Sequence, residues 1–186
     1  MAAVEAGWPE SLIRDVPDFP APGVVFKDIT PLLDDAEAFR WAVDGLADRF
    51  SAAPADRVVG VEARGFILGA AVAYRLGLGF VPVRKPGKLP HLTRSVDYQL
   101  EYGAASLEVH IDALAPGQRV LIVDDVLATG GTAAAAVDLV ASTGAAVAGV
   151  GFLIELGFLN GREKIGIGAD SSVVSLLHYR GADARC

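Results

Sequence analysis

An apolar strand that runs into two adjacent carboxylates and then a Gly-Gly turn leaves few folds open to a chain. Arg119-Val-Leu-Ile-Val-Asp-Asp-Val-Leu-Ala-Thr-Gly-Gly-Thr132 is such a stretch. Gln118 to Val123 reads as a buried strand, and Thr132 to Ser142, rich in alanine, reads as the helix that follows. Gly130 and Gly131 admit backbone angles closed to other residues and let a ligand come close to the main chain. Together with Ala128, Thr129, Thr132 and the free amides of the first helical turn, they can hold a phosphate. Asp124 and Asp125 repel that phosphate and need a different partner. Sugar hydroxyls supply it, because each carboxylate can accept hydrogen bonds from a diol while the loop beyond grips the 5-phosphate. The pattern is that of a phosphorylated-ribose site.

Two other readings compete for the same residues. A strand ending in acidic residues also describes a magnesium site of the Walker B kind, but the chain has no G-x-x-x-x-G-K-[ST] loop to hold a nucleoside triphosphate. Alternatively, the Asp pair merely caps the helix. Adjacent buried carboxylates repel each other and are costly without a ligand or hydrogen bonds, which favours the sugar-phosphate reading.

A length of 186 residues suits one well-buried domain, expected to span 1–186. A net charge of −7 supplies no basic field to displace counter-ions, so nucleic acid is not an expected partner. An anionic sugar phosphate must then be captured by local groups. Cys186 is the only cysteine, which rules out a disulfide framework or a thiolate zinc site. His91, His110 and His178 are too scattered for metal-ligand spacing. Glu5 and Glu10 stand where a secretory signal would be basic and then apolar. Leu139 to Ile154 carries no charge but is short of the roughly 20 residues a bilayer needs. The expected setting is therefore the cytoplasm.

Strand and helix signals alternate along the chain. Strands are expected at Arg57–Val61, Phe80–Val83, Gln118–Val123, Ala146–Ile154 and Val173–Leu177. Helices are expected at Ser11–Arg14, Asp35–Phe50, Phe66–Leu76 and Thr132–Ser142, with an irregular Pro-rich turn at Phe19–Gly23. Such alternation implies parallel pairing and an α/β class, a doubly wound, mostly parallel sheet flanked by helices. Asp97–Glu101 and Ser106–Ile111 break the rhythm and read as an antiparallel ribbon beside a mobile loop at Lys85–Ser95. In open α/β sheets ligands bind beyond the carboxyl ends of strands. Glu62-Ala-Arg64, Arg84-Lys85, Asp124-Asp125 and Glu155 all stand at such ends.

The central stretch matches the signature for phosphoribosyl diphosphate (PRPP) in type I phosphoribosyltransferases. Asp18-Phe-Pro-Ala-Pro-Gly-Val-Val-Phe-Lys-Asp28, Val83-Arg-Lys-Pro-Gly-Lys-Leu-Pro90 and Tyr98-Gln-Leu-Glu-Tyr-Gly103 narrow the match. With them the chain resembles the adenine phosphoribosyltransferases from about Ile13 to about Leu177. The resemblance implies a small N-terminal hood at about 1–34, a flexible loop and ribbon at about 84–111, and a homodimer. The implied reaction, a purine-salvage step, joins adenine to PRPP and releases AMP and diphosphate. Mg2+ is expected to ride in with PRPP and to have no permanent protein site, since it favours phosphate oxygens and water over an all-protein cage.

Residue roles carry over position by position. Val61-Glu62-Ala63-Arg64-Gly65 matches the pyrophosphate loop, whose second peptide bond is often cis in the family, with Glu62, Ala63 and Arg64 facing pyrophosphate. Arg64 fits because a planar guanidinium can bind two oxygens at once. Arg84, Lys85 and Lys88 match the lid over pyrophosphate, while His91 to Val96 departs most from the family pattern. Glu101 matches the carboxylate beside the reacting purine, a candidate acid–base for the imidazole proton. Phe26 is expected to stack on the base and Leu156 to cover its other face, with backbone groups of Val25 and Lys27 reading its edge. Left open are a different purine as substrate (hypoxanthine, guanine or xanthine), a PRPP-sensing regulator without catalysis, and a carboxylate–metal nucleotidase.

Overall fold

The computed structural model of the chain describes residues 7–52, 55–99, 104–169 and 171–181. The chain divides into two compact units, Met1–Ala42 and Val43–Cys186. The first opens with a one-turn helix, α1 (Trp8–Ser11), which Pro9 starts because its missing N–H falls where a helix needs none. The helix expected at Ser11–Arg14 therefore lies earlier, and Arg14 belongs to a strand. That strand, β1 (Arg14–Pro17), pairs antiparallel with β2 (Val25–Asp28), placing Lys27 opposite Asp15 and Phe26 opposite Val16. Neither strand was legible, because each is four residues long and flanked by proline. The turn between them is irregular as expected, with a cis Phe19–Pro20 bond and Asp18 Oδ1 accepting the Gly23 N–H at 2.7 Å. A short helix, α2 (Thr30–Asp34), follows. Asp35 then accepts the amides of Glu37 and Ala38 at 3.0 and 2.8 Å, which starts α3 (Ala36–Phe50) one residue inside the expected span.

The second unit holds a five-stranded parallel sheet. Its strands are β3 (Arg57–Val61), β4 (Gly79–Val83), β7 (Arg119–Leu127), β8 (Ala146–Leu156) and β9 (Ser172–Tyr179), in the order β4-β3-β7-β8-β9. Helix α4 (Gly65–Leu76) links β3 to β4, and α5 (Gly131–Ser142) links β7 to β8. Side chains alternate between the faces as strand geometry requires. Val59, Val61, Val81, Val83, Val120, Ile122, Val150 and Phe152 face the core shared with α5. On the opposite face, Gly60 lies flat under the Phe80 ring, and Gly149 and Gly151 lie flat under Phe50 of α3. Leu107 and Val109 of an antiparallel ribbon, β5 (Thr93–Gln99) with β6 (Ala104–His110), complete the α5 side. Thr93 to Ser95, expected in the loop, are strand residues: they pair with His110 to Glu108.

Strand order locates the site. From β3 the chain passes outward to β4, then returns on the other flank of β3 with β7 and continues to β8 and β9. Connections therefore depart in opposite directions from the β3–β7 pair, and a crevice opens beyond their carboxyl ends.

Candidate active site

Two loops meet at that crevice. Beyond β3, Glu62-Ala63-Arg64 turns into α4 through a cis bond between Glu62 and Ala63, the bond expected of a pyrophosphate loop. Beyond the Asp pair of β7, Ala128-Thr-Gly-Gly turns into α5. Gly65 must be glycine here, because a Cβ would stand 2.6 Å from Asp124 Oδ1 and 3.0 Å from the Val123 carbonyl oxygen. Arg64, 61 residues from Asp125 in sequence, donates its Nε–H to Asp125 Oδ2. Asp124 Oδ1 accepts the Asp125 amide at 2.9 Å. Thus a residue of the β3 loop and one carboxylate of the Asp pair are joined directly.

The carboxylates differ in electrostatics. Burial, and then the adjoining Asp125 charge, push the Asp124 carboxyl well above the ordinary aspartate range; Arg64 offsets only part of this.

The third loop brings the lid cations to a common anchor. Glu62 Oε2 accepts Arg84 Nε–H at 3.2 Å and the Lys85 amide at 3.0 Å, and Oε1 accepts from the Lys88 ammonium. Burial alone would raise the Glu62 carboxyl, but Lys88, the Lys85 amide and Arg84 together hold it below the ordinary range. Arg84 also lies 5.9 Å from the centre of the Phe66 ring. Glu62 therefore gathers Arg84, Lys85 and Lys88 around one carboxylate.

In the N-terminal unit, Val25 is 40% exposed, Phe26 is half-buried with Phe19 edge-on at 5.1 Å, and Lys27 is buried with its ammonium 2.6 Å from Asp15. Leu156, half-buried at the end of β8, lies in the second unit. Glu101 lies outside the described residues.

A profile for the phosphoribosyl transferase domain matches residues 33–165. Adenine phosphoribosyltransferase of Desulfitobacterium hafniense is 58% identical over 91% of this chain and 96% of its own. The chain belongs to the adenine phosphoribosyltransferase family. A crystal structure of the Thermoanaerobacter pseudethanolicus family member is 52% identical, with a TM-score of 0.88 over 92% of this chain and 98% of that one. The Saccharomyces cerevisiae enzyme, solved with an imino-altritol bisphosphate and adenine, is 38% identical, with a TM-score of 0.83 over 92% and 99%. The type I phosphoribosyltransferase fold and the enzyme class, a pentosyltransferase, follow from this membership.

Several contacts around the crevice loops and strand ends escaped sequence reasoning. Glu108 exchanges two backbone hydrogen bonds with Arg84, at 2.9 and 2.7 Å, and its side chain accepts the Gly87 amide at 3.1 Å. It reads in sequence as one more exposed strand glutamate. Tyr98 brings its hydroxyl to 3.5 Å from that of Thr132, tying the ribbon to the start of α5. Glu155, expected to face the crevice, is buried and spent on Arg162, which donates Nε–H to Oε1 at 3.0 Å and Nη2–H to Oε2. Ser175 donates to the same carboxylate at 2.6 Å, and His178 lies 3.5 Å from it. A partner seven residues on, across a loop, leaves no periodic trace.

Arg162, and to a lesser degree Ser175, hold the Glu155 carboxyl below its ordinary range despite burial. A carboxyl lowered by folding contributes stability that is present above its unfolded value and is lost as pH falls through the folded one. Glu155→Gln should therefore melt below wild type at pH 7, and the gap should close as pH drops below about 4.3. Thermal melts of both proteins from pH 7 to pH 3 check this; a constant gap would refute it.

Proposed function

We propose that the chain transfers the phosphoribosyl group of PRPP to adenine, giving AMP and diphosphate, with Asp124 and Asp125 on the ribose hydroxyls and Ala128 to Thr132 on the 5-phosphate. The observation that carries the reading is the meeting of the Glu62–Arg64 loop with the Asp pair at the β3–β7 switch point. The yeast relative crystallised with adenine and a sugar-bisphosphate analogue supports the same substrate pair.

Attack by a purine nitrogen on the anomeric carbon breaks its bond to diphosphate and lends the ribose oxocarbenium character. The charge leaving on diphosphate requires cations placed in advance. Arg64, Arg84, Lys85 and Lys88 serve there, and Glu62 and Ala63 shape their loop. Holding the ribose by its diol and its phosphate fixes the carbon against the incoming base. Glu101 takes the imidazole proton as the nitrogen attacks. Phe26 stacks on the purine, main-chain groups of Val25 and Lys27 read its edge, and Leu156 is assigned to the base on the same resemblance. A single domain over 1–186 belongs to the same reading.

Mg2+ suits these residues as a companion of the substrate. The ion favours phosphate oxygens and water over an all-protein cage. When bound, it would neutralise charge on the departing diphosphate. A homodimer and a cytoplasmic setting complete the reading; among the described residues no helix is long and apolar enough to cross a membrane.

Incubating the purified protein with PRPP, Mg2+ and each purine base, and measuring nucleotide and diphosphate together, tests the assignment. Adenine-dependent release of both in equal amounts is expected. If Glu101 acts in the transition state, Glu101→Gln should lower kcat by about 10²-fold with little change in either KM. Near-normal turnover would return Glu101 to an ordinary ribbon residue.

A further inference from the structure

We propose that Gly161 and Arg162 are positioning residues for the 5-phosphate loop, with the buried Glu155–Arg162 pair acting as the bolt that seats Gly161 against it. The inference rests on the reading of Ala128 to Thr132 as the phosphate site.

The connection from β8 to β9 makes two tight 3-10 turns, Gly157–Leu159 and Gly161–Lys164, with Asn160 between them at φ 50°. Around the two turns themselves, Phe158 and Leu159 are 40% and 37% exposed and anchor little, while Ile165 just beyond them is buried in the core. Arg162 anchors the turns. Besides its two bonds to Glu155 on β8, it donates Nη1–H to the Val173 carbonyl of β9 at 2.6 Å. One guanidinium thus spans two neighbouring parallel strands. A planar fork bound at three points fixes rotation as well as distance, which a single apolar contact would not.

Gly161 directly precedes this arginine and is buried. A Cβ placed on it would overlap the Ala128 carbonyl oxygen, and would stand 2.8 Å from the Gly130 nitrogen. Reciprocally, a Cβ on Gly130 would overlap the Gly161 oxygen and lie 3.0 Å from the Gly161 Cα. Two glycine backbones therefore lie against each other with no room for a methyl group. Gly130 also has φ 81°, so it is confined both by conformation and by its neighbour. On one side the phosphate loop continues β7 and α5; on the other it rests on Gly161. Amide donors reward a phosphate only when held within a fraction of an ångström, and a mismatch of about 1 Å can cost 10²-fold. Removing the bolt should therefore be felt chiefly in PRPP binding.

The test compares Gly161→Ala, Arg162→Met and Arg162→Lys with wild type, varying PRPP and adenine separately. The added methyl of Gly161→Ala must displace the Ala128–Gly130 backbone. PRPP KM should rise about tenfold or more, with adenine KM and kcat within about threefold. Arg162→Met should behave alike, and Arg162→Lys should fall between, since it keeps the charge without the fork. Calorimetric affinity for ribose 5-phosphate should fall in the same ratio, while affinity for pyrophosphate holds. Should Arg162→Met fail to fold, Gly161→Ala decides alone, being one methyl on an unchanged chain. A folded Gly161→Ala with wild-type PRPP KM overturns the inference. So does loss of active protein with both KM values unmoved, the mark of a merely structural role. Thr129→Ala/Thr132→Ala separates the two levels. If it weakens ribose 5-phosphate and Gly161→Ala does not, only the positioning inference falls. If it leaves ribose 5-phosphate binding unchanged, the phosphate-loop reading falls and takes the inference with it.

Discussion

Asp124→Asn/Asp125→Asn is expected to fold and to bind PRPP at least 10²-fold more weakly than wild type. On the proposed reading each carboxylate accepts charged hydrogen bonds from the ribose diol, and losing one such bond costs about 1.5–3 kcal/mol. Two losses reach about 3–6 kcal/mol, or 10²–10⁴ in affinity. Stability should move the other way for Asp124 alone. Its carboxyl is raised by burial and by Asp125, so folding disfavours its ionised form. A group raised in this way costs stability progressively as pH climbs from the unfolded value through the folded one, and the full cost stands above both. Asp124→Asn should therefore melt no lower than wild type at neutral pH while binding PRPP less well. Calorimetric titration with PRPP beside a thermal melt checks both halves; wild-type affinity in the folded double variant would remove the ribose assignment.

Adenine should exceed hypoxanthine in kcat/KM by about 10³-fold or more. Adenine offers an amino donor at position 6 and an acceptor at N1, and hypoxanthine offers the reverse. Val25 and Lys27 stand two apart in β2, so their main-chain groups point to one edge of the strand. The Lys27 ammonium is held by Asp15, which leaves the main chain as the reader. A backbone cannot exchange donor for acceptor, so hypoxanthine meets a carbonyl with a carbonyl and an amide with an N–H. Two buried mismatches of about 1–3 kcal/mol each, with the repulsion of like groups added, produce that discrimination. Selectivity should survive Lys27→Met, whereas Phe26→Ala should weaken adenine binding through lost stacking. Comparable efficiency with the two bases would sink the backbone reading.

The parallel sheet was legible because its signals are local. Val58 to Val61 and Val120 to Val123 are unbroken apolar runs, and each is followed by a helix-length segment. The turn from β7 into α5 was legible for the same reason, since its carboxylates, glycines and threonines are consecutive. Contacts between distant segments left no such record. Nothing in Glu155 announces Arg162 rather than the crevice as its partner, and nothing in Gly161 announces Gly130. That Arg84, Lys85 and Lys88 share Glu62 as an anchor was not legible, because Glu62 lies 23 residues upstream of Lys85. Short strands also escaped: β1 and β2 have four residues each, too few for period-two alternation to stand above chance.

Placing the site at the junction of β3 and β7 also sets when it can come into being. Gly60 pairs with Val123 across 63 positions of chain, and closing so long a loop precedes any reward from the contact. Helices α4 and α5 can form locally beforehand, since their hydrogen bonds reach only four residues. The crevice cannot, because Arg64 and Asp125 have no shared neighbourhood until the two parallel strands align. On refolding, helical signal should therefore return ahead of PRPP binding, and substrate recognition should keep pace with the slowest step of tertiary assembly.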